Sequence, residues 1–414
     1  PAISLAEDGF PVDRHLAGSL VKLKRYMDRF SELKKFAGYD GNPLEEGDTF
    51  RQPYLSKTLR RIAEEGPEGF YLGETAELIV EEMKRGNGLI TKEDLMSYEA
   101  VLRKPVRQTY RGYEILSAPP PSSGGTILIE ILNIMEGFPI RDSEYLSEKT
   151  VHWMVEAEKR AYSDRSRYLG DNDFAEIPIS ILLSEDYANH LRSSIGMKAT
   201  TASQLDGGGI SGYESEETTH YSIIDTWGNA VATTTTLNAG YGSKVVVRGG
   251  GFLLNNEMDD FSIKPGVPNM YGLTGGEANA IAPGKRMLSS MTPTIVLKDG
   301  EVFLVLGTPG GSTIITTVAQ ILVNIIDFGM NIEDAVSAPR FHNQWMPDRI
   351  DYEKGAFSCK LIEKLDKRGH SCRERPFSIG DAQVIQVKDS IIYGVSDPRG
   401  GGKAKGVDAV ISPR

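Results

Sequence analysis

The chain has 414 residues, of which 40% are hydrophobic and 25% are charged, and its formal net charge at pH 7 is −11. This composition is that of a globular protein with one large layered domain or two domains, and it excludes a mainly disordered chain. The acidic net charge argues against a nucleic-acid partner, which needs a basic surface.

Membrane insertion and thiol chemistry are not indicated by the sequence. No apolar run reaches the roughly 20 residues that cross a bilayer, and no leader pattern opens the chain, so neither a membrane span nor a signal peptide is visible. Cys359 and Cys372 form no CxxC pair and no group with histidine, which argues against a thiolate zinc site. Whether the two cysteines form a disulfide stays open.

The first half of the chain is predicted to be mainly helical. Apolar residues three and four apart, followed by glycine, predict helices over 56–66 and 73–88. The alternating stretch 110–119 predicts a strand, and the turn sequence PPPSSGG (119–125) leads into another predicted helix. A strong amphipathic helix is predicted over 149–170.

The pattern dissolves from about 196 to 217, where small and acidic residues dominate and no period holds. We predict a flexible linker there. The linker contains Gly207-x-Gly209-x-x-Gly212, which is the spacing of a dinucleotide-binding loop. No strand is predicted before these glycines and no helix after them, so the context argues against a nucleotide site.

The second half is predicted to be rich in β-structure. Strand-like runs predict hairpins around 225–229 and around the Asp-Gly pair at 299–300. A long apolar helix is predicted within 312–329, a helix and a strand within 358–374, and a last strand pair around 388–389. Hairpins combined with long apolar helices predict layered sheets with helices outside.

The Thr-Thr step at the end of the linker is the first candidate for chemistry. An N-terminal threonine carries a hydroxyl nucleophile and, on the same residue, an α-amine with a pKa of about 8 that can act as the base. Thr218 would gain that amine only if the bond after Glu217 were cleaved. Threonine also favours strands, so spacing alone favours the simpler interpretation that Thr218 only begins a strand.

Three further segments offer groups that such a nucleophile would need. Adjacent glycines in TPGGS (308–312) can direct backbone N–H groups at an oxyanion, although a plain strand-to-helix turn also fits. The acids of LLNNEMDDF (253–261) can bind an ammonium group or form a solvated turn, and the serines of MLSSMTP (287–293) supply hydroxyl donors. The six histidines show no ligand spacing, so no metal site is predicted.

Taken in order, these segments resemble the γ-glutamyltransferase family of N-terminal-nucleophile hydrolases. The similar stretches are TTHYSIIDTWGNAVATTTTLN, GFLLNNEMDDFSIKPGVPNMYGL, KRMLSSMTPTIVLKDG, LGTPGGSTIITTV, APRFHNQW and YGVSDPR, with PPPSSGG, EAEKRAYSDRSRYLGD and GLITKEDLMSYEAV upstream. The resemblance implies an α+β fold, a four-layer αββα sandwich with two stacked, mainly antiparallel sheets.

The resemblance implies a precursor that cuts itself between Glu217 and Thr218. Residues 1–217 would be the mainly helical large-subunit portion and 218–414 the β-rich small subunit, sharing one core and staying together as a heterodimer. Thr218 would attack the γ-amide of a compound such as glutathione, and water, an amino acid or a peptide would accept the γ-glutamyl group. No metal or organic cofactor is implied, because the residue's own amine does the proton work.

The resemblance also assigns roles around the reacting bond. Thr236 would hydrogen-bond the nucleophile, Gly310 and Gly311 would form the oxyanion hole, and Tyr271 would sit at the tip of a lid loop. Each of these assignments comes from the matching motif and agrees with the chemistry of the residue type. Glycine, for example, allows the backbone to approach closely.

Five residues would hold the two polar ends of the γ-glutamyl group. Asn238, Glu257 and Asp260 match residues that hold the α-amino group, and Ser289 and Ser290 match those that hold the α-carboxylate. Acids suit an ammonium group, and paired serines supply donors to a carboxylate without charge.

The sequence departs from the family pattern at two points. Family precursors have a substantial portion before the position where this chain begins, including an arginine that forks the α-carboxylate, and we expect nothing here to stand in for that arginine. If the 414 residues are the whole protein, glutamyl specificity would weaken more than the acyl chemistry. The second departure is Thr235, where the family often has an aromatic residue.

Two alternatives follow from these departures. One is a related amidase of the same superfamily, of the cephalosporin acylase or poly-γ-glutamate depolymerase type. The other is an uncleaved, non-catalytic paralogue that acts as a binding or scaffold protein. The compartment stays open in the sequence itself, and the family resemblance implies a periplasmic or extracellular location.

Overall fold

The computed structural model describes residues 1–36, 41–205 and 218–407. The chain forms two compact units, one of Pro1–Leu102 with Ala239–Asn256 and the other of Arg103–Asn238 with Glu257–Arg414. The predicted linker glycines at 207, 209 and 212, and Glu217 on the cleavage bond, lie outside the described residues.

The first unit is helical with one short antiparallel strand pair. Its helices are α1 (Ala2–Asp8), α2 (Arg14–Leu23), α3 (Pro53–Glu65), α4 (Glu68–Tyr71), α5 (Gly73–Gly86) and α6 (Lys92–Ser97), with 3₁₀ turns at Lys24–Tyr26 and Ser31–Phe36. Its strands are β1 (Phe10–Pro11) and β2 (Thr49–Phe50). The two helices predicted over 56–66 and 73–88 are confirmed as α3 and α5. Gly66 after α3 and Asn87 after α5 take positive φ angles, which suits helix ends.

The second unit holds most of the strands and the long helices. Its helices are α7 (Gly124–Glu136), α8 (Glu148–Tyr168), α9 (Ile179–Leu182), α10 (Glu185–Ser193), α11 (Thr313–Ile326), α12 (Ile332–Ser337) and α13 (Cys359–Arg368). Short 3₁₀ turns lie at Ile140–Asp142, Ala202–Gln204, Glu257–Asp260 and Glu277–Asn279. Among the described helices of both units, none combines the length and hydropathy of a transmembrane segment.

The strands of the second unit form three sheets. They are β3 (Val106–Tyr110), β4 (Tyr113–Ser117), β5 (Thr218–Ile224), β6 (Ala230–Thr236), β7 (Thr294–Lys298), β8 (Glu301–Gly307), β9 (Phe341–His342), β10 (Ile350–Tyr352), β11 (Cys372–Glu374), β12 (Gln383–Lys388) and β13 (Ile391–Ser396). The main sheet is antiparallel and six-stranded, in the order β13-β12-β8-β7-β4-β3, and the hairpin β5–β6 forms a second, antiparallel sheet. The third sheet has the order β11-β10-β9.

The six-stranded sheet is covered on both faces. Along β8, Leu304 and Leu306 belong to the main hydrophobic core, which also contains α7, α8 and α11. The alternate residue Gly307 lies against the hairpin β5–β6, because a Cβ placed there would lie 2.3 Å from the ring of His220. Two stacked antiparallel sheets with helices packed outside are the predicted α+β arrangement. The outer face of the hairpin exposes Tyr221, Ile223 and Val231.

Local turn chemistry accounts for the hairpins that the sequence predicted. The carboxylate of Asp225 accepts hydrogen bonds from the N–H groups of Trp227 and Asn229 and so closes the β5–β6 turn. In the β7–β8 turn, Asp299 and Gly300 both have positive φ angles, as a two-residue hairpin requires. The hairpins at 225–229 and 299–300 are therefore confirmed.

One predicted strand begins later than expected. The strand predicted over 110–119 is present as β4 (Tyr113–Ser117), but Arg111 and Gly112 take positive φ angles and turn the chain between β3 and β4. The alternating pattern continued across the turn because Tyr110 and Tyr113 are paired neighbours on the two strands. An arginine at a positive φ is uncommon, so the Arg-Gly step gave only a weak turn signal.

The part of the predicted linker that the structure describes is docked on the protein. Residues 196–205 are held by hydrogen bonds to several elements: Thr200 N–H donates to Glu156 of α8, Ala202 N–H donates to Asp348, and the Trp345 indole donates to Ala202. Small polar residues lack a period whether they are flexible or docked, which is why the sequence did not distinguish the two.

Helix α8 is also different from its prediction as amphipathic. Sixteen of its 21 residues are buried, including the charged residues Glu156, Glu158, Lys159, Arg160, Asp164 and Arg165. Several of these charges are paired, as buried charges must be: Arg160 with Glu156 at 2.7 Å, and Lys159 with Asp348 at 2.7 Å. The polar face of α8 therefore faces protein, and one of its residues reaches the candidate site.

Candidate active site

The candidate nucleophile Thr218 is the first residue of β5 and pairs with Thr236, the last residue of β6. This register brings the two hydroxyls together, and Thr218 Oγ1 donates a hydrogen bond to Thr236 Oγ1 over 3.1 Å. Thr236 Oγ1 also accepts the N–H of Asn238 over 2.9 Å. Both threonines thus lie at the open end of the hairpin, where the sheet stops and side chains can meet a ligand.

Tyr271 closes one side of the site. Its hydroxyl donates to the backbone carbonyl of Asn238 over 2.7 Å, and its ring is buried. Its own carbonyl accepts a hydrogen bond from the Gln344 side chain over 3.0 Å. Two hydrogen bonds, one from its hydroxyl and one to its backbone carbonyl, therefore hold the predicted lid residue in place close to the two threonines.

Acidic residues lie on the 3₁₀ turn Glu257–Asp260. Burial and the nearby acids Glu257 and Asp259 raise the pKa of Asp260, Arg165 lowers it, and the result is a pKa of about 7. Burial also raises the pKa of Glu257. A partly desolvated carboxylate is stabilised by a cation, so this turn presents a site for an ammonium group.

Ser289 and Ser290 lie on a loop that is fixed by the PPPSSGG turn. Ser289 N–H donates to Pro121 over 2.9 Å, and Ser289 carbonyl accepts both the N–H and the hydroxyl of Ser123, over 2.8 and 2.7 Å. The hydroxyl of Ser122 donates to the carbonyl of Met291 over 2.6 Å. The rigid turn that the sequence singled out therefore positions the two serines.

The Gly-Gly step follows β8 and precedes α11. Gly310 has a φ of 138° and Gly311 a φ of 56°, conformations that suit glycine. Thr313 N–H donates to the Gly310 carbonyl over 3.0 Å and begins the helix. The described residues accept no hydrogen bond from the N–H of Gly310 or Gly311, so both donors are available to a ligand near the positive helix end.

A small cavity of about 30 Å³ joins these parts. Its lining includes the predicted residues Thr218, Thr236, Asn238, Asp260, Tyr271, Ser289, Ser290 and Gly311. The predicted residues Glu257 and Gly310 do not line it. Gly310 directly precedes Gly311, and Glu257 lies on the same 3₁₀ turn as Asp260. Glu217 lies outside the described residues.

A comparison with known families decides which one this site belongs to. The sequence model described as Gamma-glutamyltranspeptidase matches residues 1–407. The chain belongs to the gamma-glutamyltranspeptidase family. The motifs that resembled this family therefore reflect a relationship along almost the entire chain.

Individual relatives agree with the family assignment. The chain is 49% identical over 402 residues to the glutathione hydrolase proenzyme of Escherichia coli (strain K12), covering 96% of this chain and 69% of that protein. It is 48% identical over 412 residues to the glutathione hydrolase proenzyme of Pseudomonas sp. (strain A14), covering 96% of this chain and 71% of that protein. Among solved structures, the cephalosporin acylase of Bacillus halodurans is similar with a TM-score of 0.82 at 28% identity, covering 99% of this chain and 74% of that one.

Sequence reasoning missed several residues of this family member's site. Leu273, Met291, Ser312 and Ile314 also line the cavity. Arg165 of α8 lies behind it, with Nη2 donating to Ser290 Oγ over 3.1 Å. Ser312 and Ile314 directly follow the Gly-Gly step and could have been found from it, whereas Arg165 gave no signal beyond its place in a similar stretch.

The histidines do not take part in the cavity. Burial lowers the pKa of His220 and of His342 to about 4 each, so both are neutral near pH 7. Within the described ranges, His152, Glu156 and His370 form one buried group whose ligand-type atoms lie within 4.8 Å of one another. In that group the His152 and His370 rings are hydrogen-bonded over 2.8 Å, and Glu156 is paired with Arg160. Cys359 and Cys372 are free thiols.

Proposed function

We propose that this chain is a self-processing γ-glutamyl hydrolase and transferase that acts on glutathione and other γ-glutamyl amides. The observation that carries the proposal is the shared cavity of a threonine hydroxyl, a carboxyl group and two serine hydroxyls, from Thr218, Asp260, Ser289 and Ser290. The relatives named glutathione hydrolase proenzyme support the substrate class.

Maturation would break the bond between Glu217 and Thr218. The Thr218 hydroxyl attacks the Glu217 carbonyl carbon, an ester forms, and the amide nitrogen of Thr218 leaves as an amine. Water then hydrolyses the ester and releases a carboxylate at Glu217. The freed amine, with a pKa of about 8, becomes the base for the next reaction.

In the acyl-transfer cycle the Thr218 amine takes the proton of the Thr218 hydroxyl as the oxygen attacks the γ-carbonyl carbon. The hydrogen bond to Thr236 holds that oxygen in place. Negative charge on the carbonyl oxygen is stabilised by the N–H groups of Gly310 and Gly311. The leaving amine takes the proton, and water or an acceptor amine then attacks the γ-glutamyl ester.

Substrate orientation follows from the polar groups that line the cavity. The α-ammonium group binds Asp260, with Glu257 and Asn238 beside it, and the α-carboxylate accepts hydrogen bonds from Ser289 and Ser290. The partly desolvated Asp260 supports this direction, because a cation offsets the cost that raises its pKa.

The two products of cleavage would remain one heterodimer. Strand β4, from before the cleavage bond, pairs with β7, from after it, inside the six-stranded sheet. By analogy with the family we propose a periplasmic or extracellular location, which fractionation of cells that express the full-length protein would test.

The first test combines intact mass with a chromogenic donor. Purified protein, incubated at neutral pH, should show under denaturing conditions two fragments, one beginning at Thr218. The cleaved protein should release p-nitroaniline from γ-glutamyl-p-nitroanilide, and Thr218→Ala should stay uncut and inactive. Cleaved protein that releases no p-nitroaniline would refute the proposal, and an uncut wild-type chain would favour a non-catalytic paralogue.

An acylase is the second candidate, because the Bacillus halodurans cephalosporin acylase has the same fold along 99% of this chain. Glutaryl-p-nitroanilide lacks the α-amine for which Asp260 is suited. Faster turnover of the glutaryl than of the γ-glutamyl anilide would favour the acylase, and the reverse preference would favour the γ-glutamyl enzyme.

A further inference from the structure

Arg165 is a buried arginine directly behind the serine side of the cavity. It projects from α8 with 4% of its surface exposed. Its Nε donates to Ser123 Oγ over 2.9 Å and its Nη2 to Ser290 Oγ over 3.1 Å. A buried guanidinium is costly, so a position that retains one needs a compensating interaction.

The contact with Arg165 determines what Ser290 can offer. Arginine is a donor only, so the Ser290 oxygen must accept, and its own hydroxyl proton is left to point elsewhere. Ser289 Oγ is in the same situation, because it accepts the N–H of Met291 over 3.1 Å. Both hydroxyls line the cavity with a proton to donate, which is what a carboxylate requires.

Ser123 connects Arg165 to the other serine as well. The Ser123 hydroxyl accepts from Arg165 Nε and donates to the carbonyl of Ser289 over 2.7 Å. Arg165 therefore fixes one serine through its side chain and the other through its backbone, by way of the PPPSSGG turn.

The cavity lining combines an acid with a buried cation behind it. Asp260 lines the cavity, and the guanidinium of Arg165, which lies one hydrogen bond behind Ser290, lowers the pKa of Asp260. A ligand with an ammonium and a carboxylate group matches both charges, whereas a ligand without the carboxylate matches the acid alone.

We propose that Arg165 is a positioning residue for the α-carboxylate of the donor, acting through Ser290 and Ser123, and that it makes the site select γ-glutamyl groups over acyl groups without that carboxylate. The proposal rests on the proposed γ-glutamyl activity. It assigns the carboxylate side a positive charge that comes from within this chain.

The test compares two donors that differ by the α-carboxylate alone. γ-Glutamyl-p-nitroanilide has it, and 4-aminobutyryl-p-nitroanilide lacks it but keeps the amine. Arg165→Met and Arg165→Lys should lower kcat/KM for the γ-glutamyl donor about 10- to 100-fold, mainly through KM. Arg165→Lys, which keeps the positive charge near Asp260, should change kcat/KM for the 4-aminobutyryl donor less than about threefold. If that donor turns over too slowly, inhibition constants of L-glutamate and 4-aminobutyrate provide the same comparison.

Coupling to Ser290 gives a second readout. Ser290→Ala should lower kcat/KM for the γ-glutamyl donor in the wild-type background. In the Arg165→Met background it should lower kcat/KM by less than about threefold further, because the two residues act on the same carboxylate. Ser123→Ala, which keeps the charge, should produce a smaller loss of the same selectivity. If Arg165→Met does not fold, Ser123→Ala and Arg165→Lys still test the proposal.

Arg160→Met is the matched control. Arg160 is a buried arginine of the same helix, and it contacts Glu156, Ser194 and Thr200 rather than the cavity. It should lower stability and affect both donors equally.

Equal losses on both donors in every Arg165 variant would overturn the proposal, as would an unchanged γ-glutamyl donor or fully additive losses with Ser290→Ala. Wild-type protein that is cleaved at Thr218 but inactive on γ-glutamyl-p-nitroanilide would instead refute the proposed function and remove this inference with it.

Discussion

At the scale of the residue, Asp260 lowers the stability of the folded chain near neutral pH and supplies a carboxylate that suits an ammonium ligand. Burial raises its pKa to about 7. Because the folded pKa is raised, the contribution of Asp260 to the free energy of unfolding is fully present below the pKa of an aspartate in the unfolded chain, near 4. That contribution is lost as pH rises through about 7. An ammonium ligand reverses this cost, because it binds the ionised carboxylate.

Binding of an amino acid should therefore depend on pH through Asp260. The inhibition constant of L-glutamate should fall as pH rises from 5 to 8, with its midpoint near 7, because the carboxylate ionises over that range. Asp260→Asn should raise the inhibition constant of L-glutamate by about 100-fold at pH 8 and should remove most of its dependence on pH. Competitive inhibition across pH measures both effects.

Glutarate is the control ligand, since it lacks the amine and should not bind more tightly as pH rises. The unfolding free energy of Asp260→Asn should equal or exceed that of the wild type at pH 8. A wild-type L-glutamate profile without a step between pH 5 and 8 would contradict the assignment of Asp260 to the ammonium group.

Glu130 is a second buried acid, and it lies in the core rather than in the site. It is fully buried on α7, with the carboxyl group of Asp164 beside it. Burial raises the pKa of Glu130 well above its usual value, and the nearby Asp164 raises it further. Glu130 is therefore an acid that the fold keeps protonated.

Glu130→Gln should make stability less dependent on pH. Because the folded pKa is raised, the wild type loses stability above the unfolded pKa of about 4.3, by up to about 1.4 kcal/mol for each pH unit until the folded pKa is reached. The free energy of unfolding of the variant should equal that of the wild type near pH 4 and should exceed it increasingly towards pH 8. Urea unfolding at both pH values measures this, and an equal difference at the two would contradict it.

Individual residues of the site were predictable where a motif carried them. Thr218 and Thr236 share one hairpin, so the sequence places them at matching ends of two adjacent strands. Arg165 was not predictable, because it lies 125 residues from Ser290 along the chain and within a helix whose polar face looked exposed. Side-chain contacts of that separation depend on packing, which local patterns do not encode.

At the scale of the element, the turn between β8 and α11 joins a strand end to a helix start. Gly310 has a φ of 138°, and a Cβ there would lie 2.5 Å from Thr313 Oγ1. A side chain at this position would push against the first helical residue and shift the Gly-Gly step, of which Gly311 lines the cavity.

Gly310→Ala should therefore lower kcat by about 100- to 1,000-fold, the cost typical of losing an oxyanion donor, with little change in KM. Gly300→Ala in the β7–β8 turn is the matched control. Gly300 also has a positive φ, of 85°, but nothing lies within 4 Å of its Cβ position. That variant should lose about 1 kcal/mol of stability and keep its kcat.

Steady-state kinetics and urea unfolding on the two variants separate backbone strain from catalysis. An active Gly310→Ala enzyme, or a Gly300→Ala enzyme that is equally slow, would contradict an oxyanion role for this turn.

Elements were predictable where turn residues are specific. Asp299-Gly300 identified a hairpin directly, whereas Arg111-Gly112 did not, because arginine seldom adopts a positive φ. Residues 196–205 show the same limit, since the hydrogen bonds that dock them come from α8 and from distant loops.

At the scale of the whole molecule, the order of strands was beyond the sequence. The central pair β7–β8 is a local hairpin, but β7 also pairs with β4 and β8 with β12, so the pairs on either side of the centre join distant segments. Alternation predicts that a strand exists and which face is apolar, but it does not select the partner. The stacked sheets and outer helices could still be predicted, since they follow from how apolar faces are buried.

That strand order determines what cleavage before Thr218 would do to the molecule. Strands β3 and β4 precede the bond, while β7, β8, β12 and β13 follow it, and Ile115 of β4 lies opposite the buried Val296 of β7. Separating the fragments would expose this ladder and the core beneath it. We therefore expect the cleaved protein to elute under native conditions as one species of 45.4 kDa, like uncut Thr218→Ala.

In urea, the two fragments should separate only as the main sheet unfolds, so fragment separation and loss of β-sheet circular dichroism should have the same midpoint. Size-exclusion chromatography at each urea concentration measures the first and far-ultraviolet circular dichroism the second. Elution of the 218–414 fragment alone before any loss of sheet signal would contradict the expectation, because it would mean that β4 and β7 do not hold the two halves in one sheet.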